Sequence, residues 1–93
     1  MDLLSITLIL SAISSESSPV TYYKNIQPLF KARCISCHNA NTPTRNWMKY
    51  DEAFRKRDLI KYRVWTTRSM PRGPITEAER QLIRDWVDQG AKE

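Results

Sequence analysis

Cys34-Ile35-Ser36-Cys37-His38 is the stretch around which the rest of the chain is read. Two thiols three positions apart sit about one helical turn apart. From one turn they reach the two vinyl groups on one side of a planar macrocycle and add across them as thioethers. The imidazole that follows directly then projects beneath the plane toward a central iron. Cys-x-x-Cys-His is the spacing of covalent haem attachment. Two other chemistries use a Cys-x-x-Cys pair. A structural zinc normally takes four ligands, and only His38 remains, because the chain has two cysteines and one histidine. Carboxylates would have to complete such a zinc module. A thioredoxin-like redox pair expects strands alternating with helices, and no segment here alternates as a strand. Haem attachment leads, with zinc binding and thiol redox as the alternatives.

A haem iron in an electron carrier takes a second protein ligand, and methionine in that place raises the potential. The chain offers Met1, Met48 and Met70. Met1 belongs to the apolar N-terminal stretch, and Met48 lies between Trp47 and Lys49. Met70 stands 32 residues after His38, directly before Pro71, in a loop stiffened by Pro71 and Pro74. It is the predicted sixth ligand. A site closed by protein on both faces passes single electrons and does no substrate chemistry, so the chain is not expected to be an enzyme. An open or labile distal position would instead make it a haem enzyme or a ligand sensor.

Ninety-three residues allow one small domain. A core of that size commonly needs a metal, a cofactor or a disulfide to be stable. The net charge is +5, and the excess is local. Residues 45–72 hold nine basic and three acidic side chains, whereas residues 75–93 hold five acidic and three basic. A basic segment of this kind is a solvated face or a docking surface for an anionic partner. No nucleic-acid motif is present, so a redox protein with an acidic docking surface is the expected partner. Residues 3–13 form an apolar run too short to span a bilayer as a helix. With Ala12, Ser14 and Ser15 behind it, the run reads as the core of an export signal, although Asp2 replaces the usual positive start. Residues 1–18 are therefore read as leader and linker, and residues 19–93 as the folded domain. Periplasmic or other export follows, with an uncleaved membrane tether or a misplaced start codon as the alternatives.

The domain is predicted to be all-α. A first helix lies within Tyr22 to Arg33, begun by Asn25, which makes Pro28 a first-turn proline, or by Thr21, which implies a kink. Residues 39–46 read as loop. Asp51 is a candidate cap for a short helix through Arg57, and another covers Leu59 to Trp65. Thr76-x-x-Glu79 is a capping box opening the last helix. Ala78, Leu82, Ile83, Trp86 and Val87 form its apolar stripe, and Gly90 stands at the C-cap.

On these residues the chain resembles a class I cytochrome c domain of the compact, mono-haem bacterial type. Ile26 and Pro28 precede Cys34, Cys37 and His38. Arg63-Val64 follows near the middle, then Met70-Pro71, then Thr76, Glu77, Glu79, Arg80, Gly90 and Ala91. Arg72 and Gly73 stand where a second proline often follows Met-Pro in such domains. The resemblance covers about residues 20–91. It implies a small cytochrome c fold in which the N- and C-terminal helices cross, Ile26 and Phe30 meeting Leu82 and Trp86, while short helices and loops wrap one haem c. It also implies covalent haem on Cys34 and Cys37, iron between His38 and Met70, and a loop carbonyl orienting His38, with Pro43 as the candidate. Trp47, Arg63, Trp65 and Arg68 become candidate haem-pocket and propionate donors.

Overall fold

A computed structural model describes residues 19–93. The leader and linker assigned to residues 1–18 lie outside the described residues. Every regular element among the described residues is helical, in the order π turn Tyr22–Ile26, α1 Gln27–Arg33, α2 Tyr50–Arg55, α3 Arg57–Lys61, π turn Tyr62–Thr66 and α4 Glu77–Asp88. No helix among them is long and apolar enough to cross a membrane.

The first helical segment starts after Thr21, not at Asn25. Proline has no backbone N–H, so Pro28 cannot complete an α-type bond to the carbonyl four residues back. The turn before it is widened instead: Ile26 N–H reaches the Thr21 carbonyl and Gln27 N–H the Tyr22 carbonyl, both five residues back. Asn25 does not cap the helix; its side-chain oxygen accepts the Thr21 N–H at 3.0 Å. Pro28 then lies in the first turn of α1, where the missing donor costs little.

Ile26, Leu29 and Phe30 are buried on the inner face of this segment. Phe30 meets Trp86 of α4 edge-on, with centroids 6.3 Å apart, and Tyr22 meets the same indole at 6.0 Å. The N- and C-terminal helical segments thus pack through Trp86, which is completely buried. Burial of such rings supplies roughly 1.5–3 kcal/mol each. Tyr22 also donates its hydroxyl to the Trp47 carbonyl at 2.5 Å, so its polar tip is satisfied inside the core.

The capping box of α4 is complete. Thr76 Oγ1 accepts the Glu79 N–H at 3.1 Å, and Glu79 Oε1 accepts the Thr76 N–H at 2.9 Å. At the other end Gly90 takes φ 104°, a conformation that glycine adopts without penalty. Its N–H bonds to the Val87 carbonyl and the Ala91 N–H to the Trp86 carbonyl, the pair that closes a Schellman motif. Ile83 and Trp86 carry the buried stripe, Leu82 and Val87 are half-buried, and Ala78 faces solvent. The chain after α4 returns along the N-terminal segment, where Tyr22 and Tyr23 donate their N–H groups to the carbonyls of Lys92 and Glu93.

The short helices begin elsewhere than their sequence signals imply. Lys49, in extended conformation, precedes α2, and Asp51 sits inside its first turn without capping it. A carboxylate there still favours the N-terminal end of the helix dipole. Glu52 does the local fastening: it is buried and accepts the Asn46 N–H at 2.8 Å. The helix expected from Leu59 starts two residues earlier as α3 and widens into the π turn Tyr62–Thr66, closed by the Thr67 N–H on the Tyr62 carbonyl.

Candidate functional site

Cys34 follows the last residue of α1, and the chain turns there. The N–H groups of Cys37 and His38 both bond to the Cys34 carbonyl, at 3.1 and 2.9 Å. This turn presents the two thiols and the imidazole to one cavity of about 680 Å³, within the size range of cofactor sites. Leu59, Ile60, Val64 and Pro71 supply its apolar lining, and Met70 enters it from the loop after the second π turn. No disulfide joins Cys34 to Cys37. Burial pushes the Cys34 thiol up to about 11, with a smaller contribution from neighbouring Cys37, so the thiol stays protonated at neutral pH.

The imidazole of His38 is held at two points. Nδ1 lies 3.2 Å from the Arg45 carbonyl oxygen. A carbonyl only accepts, so Nδ1 carries the hydrogen and Nε2 keeps its lone pair. The ring also stacks on the Trp47 indole, centroids 4.7 Å apart and planes 21° from parallel. Burial lowers the His38 pKa against the opposing effect of the carbonyl bond, which keeps the ring neutral and its lone pair available. The orienting carbonyl belongs to Arg45, not Pro43. Between them Thr44 takes a left-handed φ of 65°, within a turn in which the Arg45 N–H bonds to the Thr42 carbonyl at 2.9 Å. Pro43 is exposed and does not line the cavity.

The expected pocket residues divide. Trp47 and Arg63 line the cavity. Trp65 and Arg68 do not, because both are engaged on the outer surface. The Arg68 guanidinium lies 4.9 Å from the Trp65 ring, that of Arg84 lies 4.5 Å from it, and Arg68 pairs with Glu77 at 2.5 Å. Two cavity residues carried no sequence signal of their own. Arg45 and Arg72 are two basic residues among nine in their segment, and only the fold selects them.

Four arginines and no carboxylate line the cavity. Arg33 is bound to Glu79 at 3.1 and 3.3 Å. Arg45, Arg63 and Arg72 take part in none of the ion pairs among the described residues. Their charge at this wall suits an anionic edge such as a pair of propionates. Among the described residues no three side chains of His, Cys, Asp or Glu gather as a metal cage, so the cluster that a zinc module needs is missing from this part of the chain.

The donor set therefore fits a haem. A cavity with apolar walls, two thiols on one turn, an imidazole with a free Nε2 and a thioether sulfur are brought together, with cations at the wall. No curated protein and no solved structure matches the chain. One family model, PccH cytochrome c, matches residues 21–91, which takes in every element described above. The chain belongs to the PccH cytochrome c family and is a small all-helical domain of the kind that carries covalently bound haem c.

Proposed function

We propose that the protein is a one-electron carrier in which Cys34 and Cys37 hold the haem as thioethers and His38 and Met70 are the axial ligands of its iron. The supporting observation is the single cavity that receives Cys34, Cys37 and His38 from one turn and Met70 from 32 residues further on. The haem iron, when bound, supplies the one-electron chemistry. The protein does the rest. The bond from Nδ1–H of His38 to the Arg45 carbonyl fixes the ring's rotation and raises the basicity of Nε2. Leu59, Ile60, Val64 and Pro71 give the cavity an apolar lining suited to the macrocycle. The charges of Arg45, Arg63 and Arg72 favour the reduced iron and steer a partner with an acidic docking surface toward the same face. No substrate conversion is assigned to the site. Covalent haem attachment fits the export read from residues 1–18, which supports reading the carrier as periplasmic or otherwise exported.

The test is the visible spectrum of protein matured with haem-attachment machinery. A low-spin spectrum with the weak far-red band of methionine–iron ligation is expected, and Met70→Ala removes that band. A high-spin spectrum that shifts with carbon monoxide would replace this reading with a haem enzyme or sensor. No covalent haem at all would overturn both.

A further inference from the structure

Arg80 lies on α4, outside the cavity, and has no place in the reading above. It is half-buried, and one nitrogen of its guanidinium, Nη1, donates to two carbonyls: Val64 at 2.7 Å and Met70 at 3.1 Å. The Val64 carbonyl belongs to the last turn of a helical segment, where orphan carbonyls need an outside donor. The Met70 carbonyl belongs to the loop that turns the thioether into the cavity. The Met70 N–H bonds to the Arg63 carbonyl at 3.1 Å. Met70 is thus held from both sides of its backbone, and α4 supplies one of the two anchors. The capping box at Thr76 and Glu79 fixes the turn of α4 from which Arg80 projects.

We propose that Arg80 is a positioning residue for the haem iron's sixth ligand: its guanidinium bridges the π turn and the methionine loop and so sets how firmly Met70 stays at the metal. This rests on Met70 being that ligand. Arginine suits the role because one nitrogen has two hydrogens in a fixed plane, one for each carbonyl, and the charge strengthens both bonds. Lysine keeps the charge on a flexible stem and does not reproduce that fork.

The experiment uses the matured full-length protein and exogenous imidazole, which competes with a protein ligand for the iron. Arg80→Leu is expected to weaken the far-red band and to raise imidazole affinity on the order of tenfold, the scale of losing charge-assisted bonds of this kind. Arg80→Lys falls between Arg80→Leu and wild type. Val20→Ala is the control. Val20 is a buried core residue whose N–H bonds to the Gln89 side chain at the far end of α4, so its truncation lowers global stability away from the loop. It should leave band and imidazole affinity unchanged. If Arg80→Leu leaves both at wild-type values, or if Val20→Ala moves them as far, Arg80 is only part of the scaffold and the proposal fails. If Arg80→Leu does not fold, Arg80→Lys against Val20→Ala decides by the same criterion. A band missing from wild type, or surviving Met70→Ala, overturns the ligand assignment and the Arg80 proposal together. A band lost in Met70→Ala but unmoved in the folded Arg80 variants overturns the Arg80 proposal alone.

Discussion

The two walls of this small domain are held by different forces. On one side α4 packs on the N-terminal segment through Tyr22, Phe30, Ile83 and Trp86, all of them buried. On the other side, residues 38–49 and 67–76 bound the cavity with few buried side chains, and hydrogen bonds to carbonyls define them: His38 to Arg45, Arg80 to Met70, Thr42 Oγ1 to Asn39. Apolar contact is non-directional and sums over area, so the first wall tolerates small errors of placement. Carbonyl bonds are directional and each holds one point, so the second wall depends on a few of them and on the group it encloses. The domain is a packed half that supports a wrapped half.

The largest expected effect comes from emptying the wrapped half. A Cys34→Ala, Cys37→Ala variant cannot attach haem covalently, and prepared without haem it leaves the cavity of about 680 Å³ without an occupant. Cooperative thermal unfolding should disappear or fall far below that of the haem-loaded protein, while far-ultraviolet circular dichroism keeps part of its helical signal. An unfolding transition equal to wild type would show that the wrapped half stands without its cofactor. Next, Trp86→Ala strikes the packed half and should cost about 3–5 kcal/mol in denaturant unfolding, as removal of a buried aromatic does.

Tyr22 joins the halves, and pH tests it. Burial is the main cause that pushes its hydroxyl up to about 12. The folded state therefore prefers the neutral phenol. Its contribution is fully present below the ordinary tyrosine value near 10, and is lost as pH rises from there toward 12. Tyr22→Phe should flatten the alkaline limb of a stability–pH curve; an unchanged limb would assign that loss to other groups. A smaller effect belongs to Thr76→Ala, expected to cost about 1 kcal/mol through the lost cap. The Thr76 N–H and the Arg33 side chain hold the Glu79 carboxyl below the usual carboxylate range. That contribution is present above the ordinary value and lost as pH falls through the lowered one, so Glu79→Gln should reduce the acid sensitivity of unfolding. The smallest effect is that of Arg68→Ala. Its pair with Glu77 is exposed, and such pairs contribute little. Both the unfolding midpoint and the visible spectrum should remain at wild-type values, and a shifted spectrum would return Arg68 to the haem pocket.

The packed half was legible in the sequence because its signals are side chains at regular spacing. The stripe of α4, the Thr76–Glu79 box and Gly90 each carry their geometry in residue type. At the site, the cluster of Cys34, Cys37 and His38 was legible for the same reason. The wrapped half is less legible. The carbonyl that meets His38 is a backbone atom that every residue possesses, so no chemical signature in the sequence separates Arg45 from Pro43. Trp65 and Arg68 are residue types that suit a haem pocket, but the tertiary arrangement engages them with each other and with Arg84 and Glu77. Asp51 and Asn25 are capping residue types whose neighbours set the helix starts differently.

The widened turn at Tyr62–Thr66 carries Arg63 and Val64, both of which line the cavity. A π turn holds one residue more than the α turn it replaces, so it acts as an insertion that the helix has absorbed. Removing one residue there would rotate the residues before it by about 100° against those after it, so α4 could no longer meet the N-terminal segment through Trp86 without a compensating bend. Chain length at this turn, as well as the choice of side chains, sets which of its residues face the cavity. For a lineage of such domains, a single-codon gain or loss at that point has to be matched by a change elsewhere before the pocket lining and the scaffold can both persist.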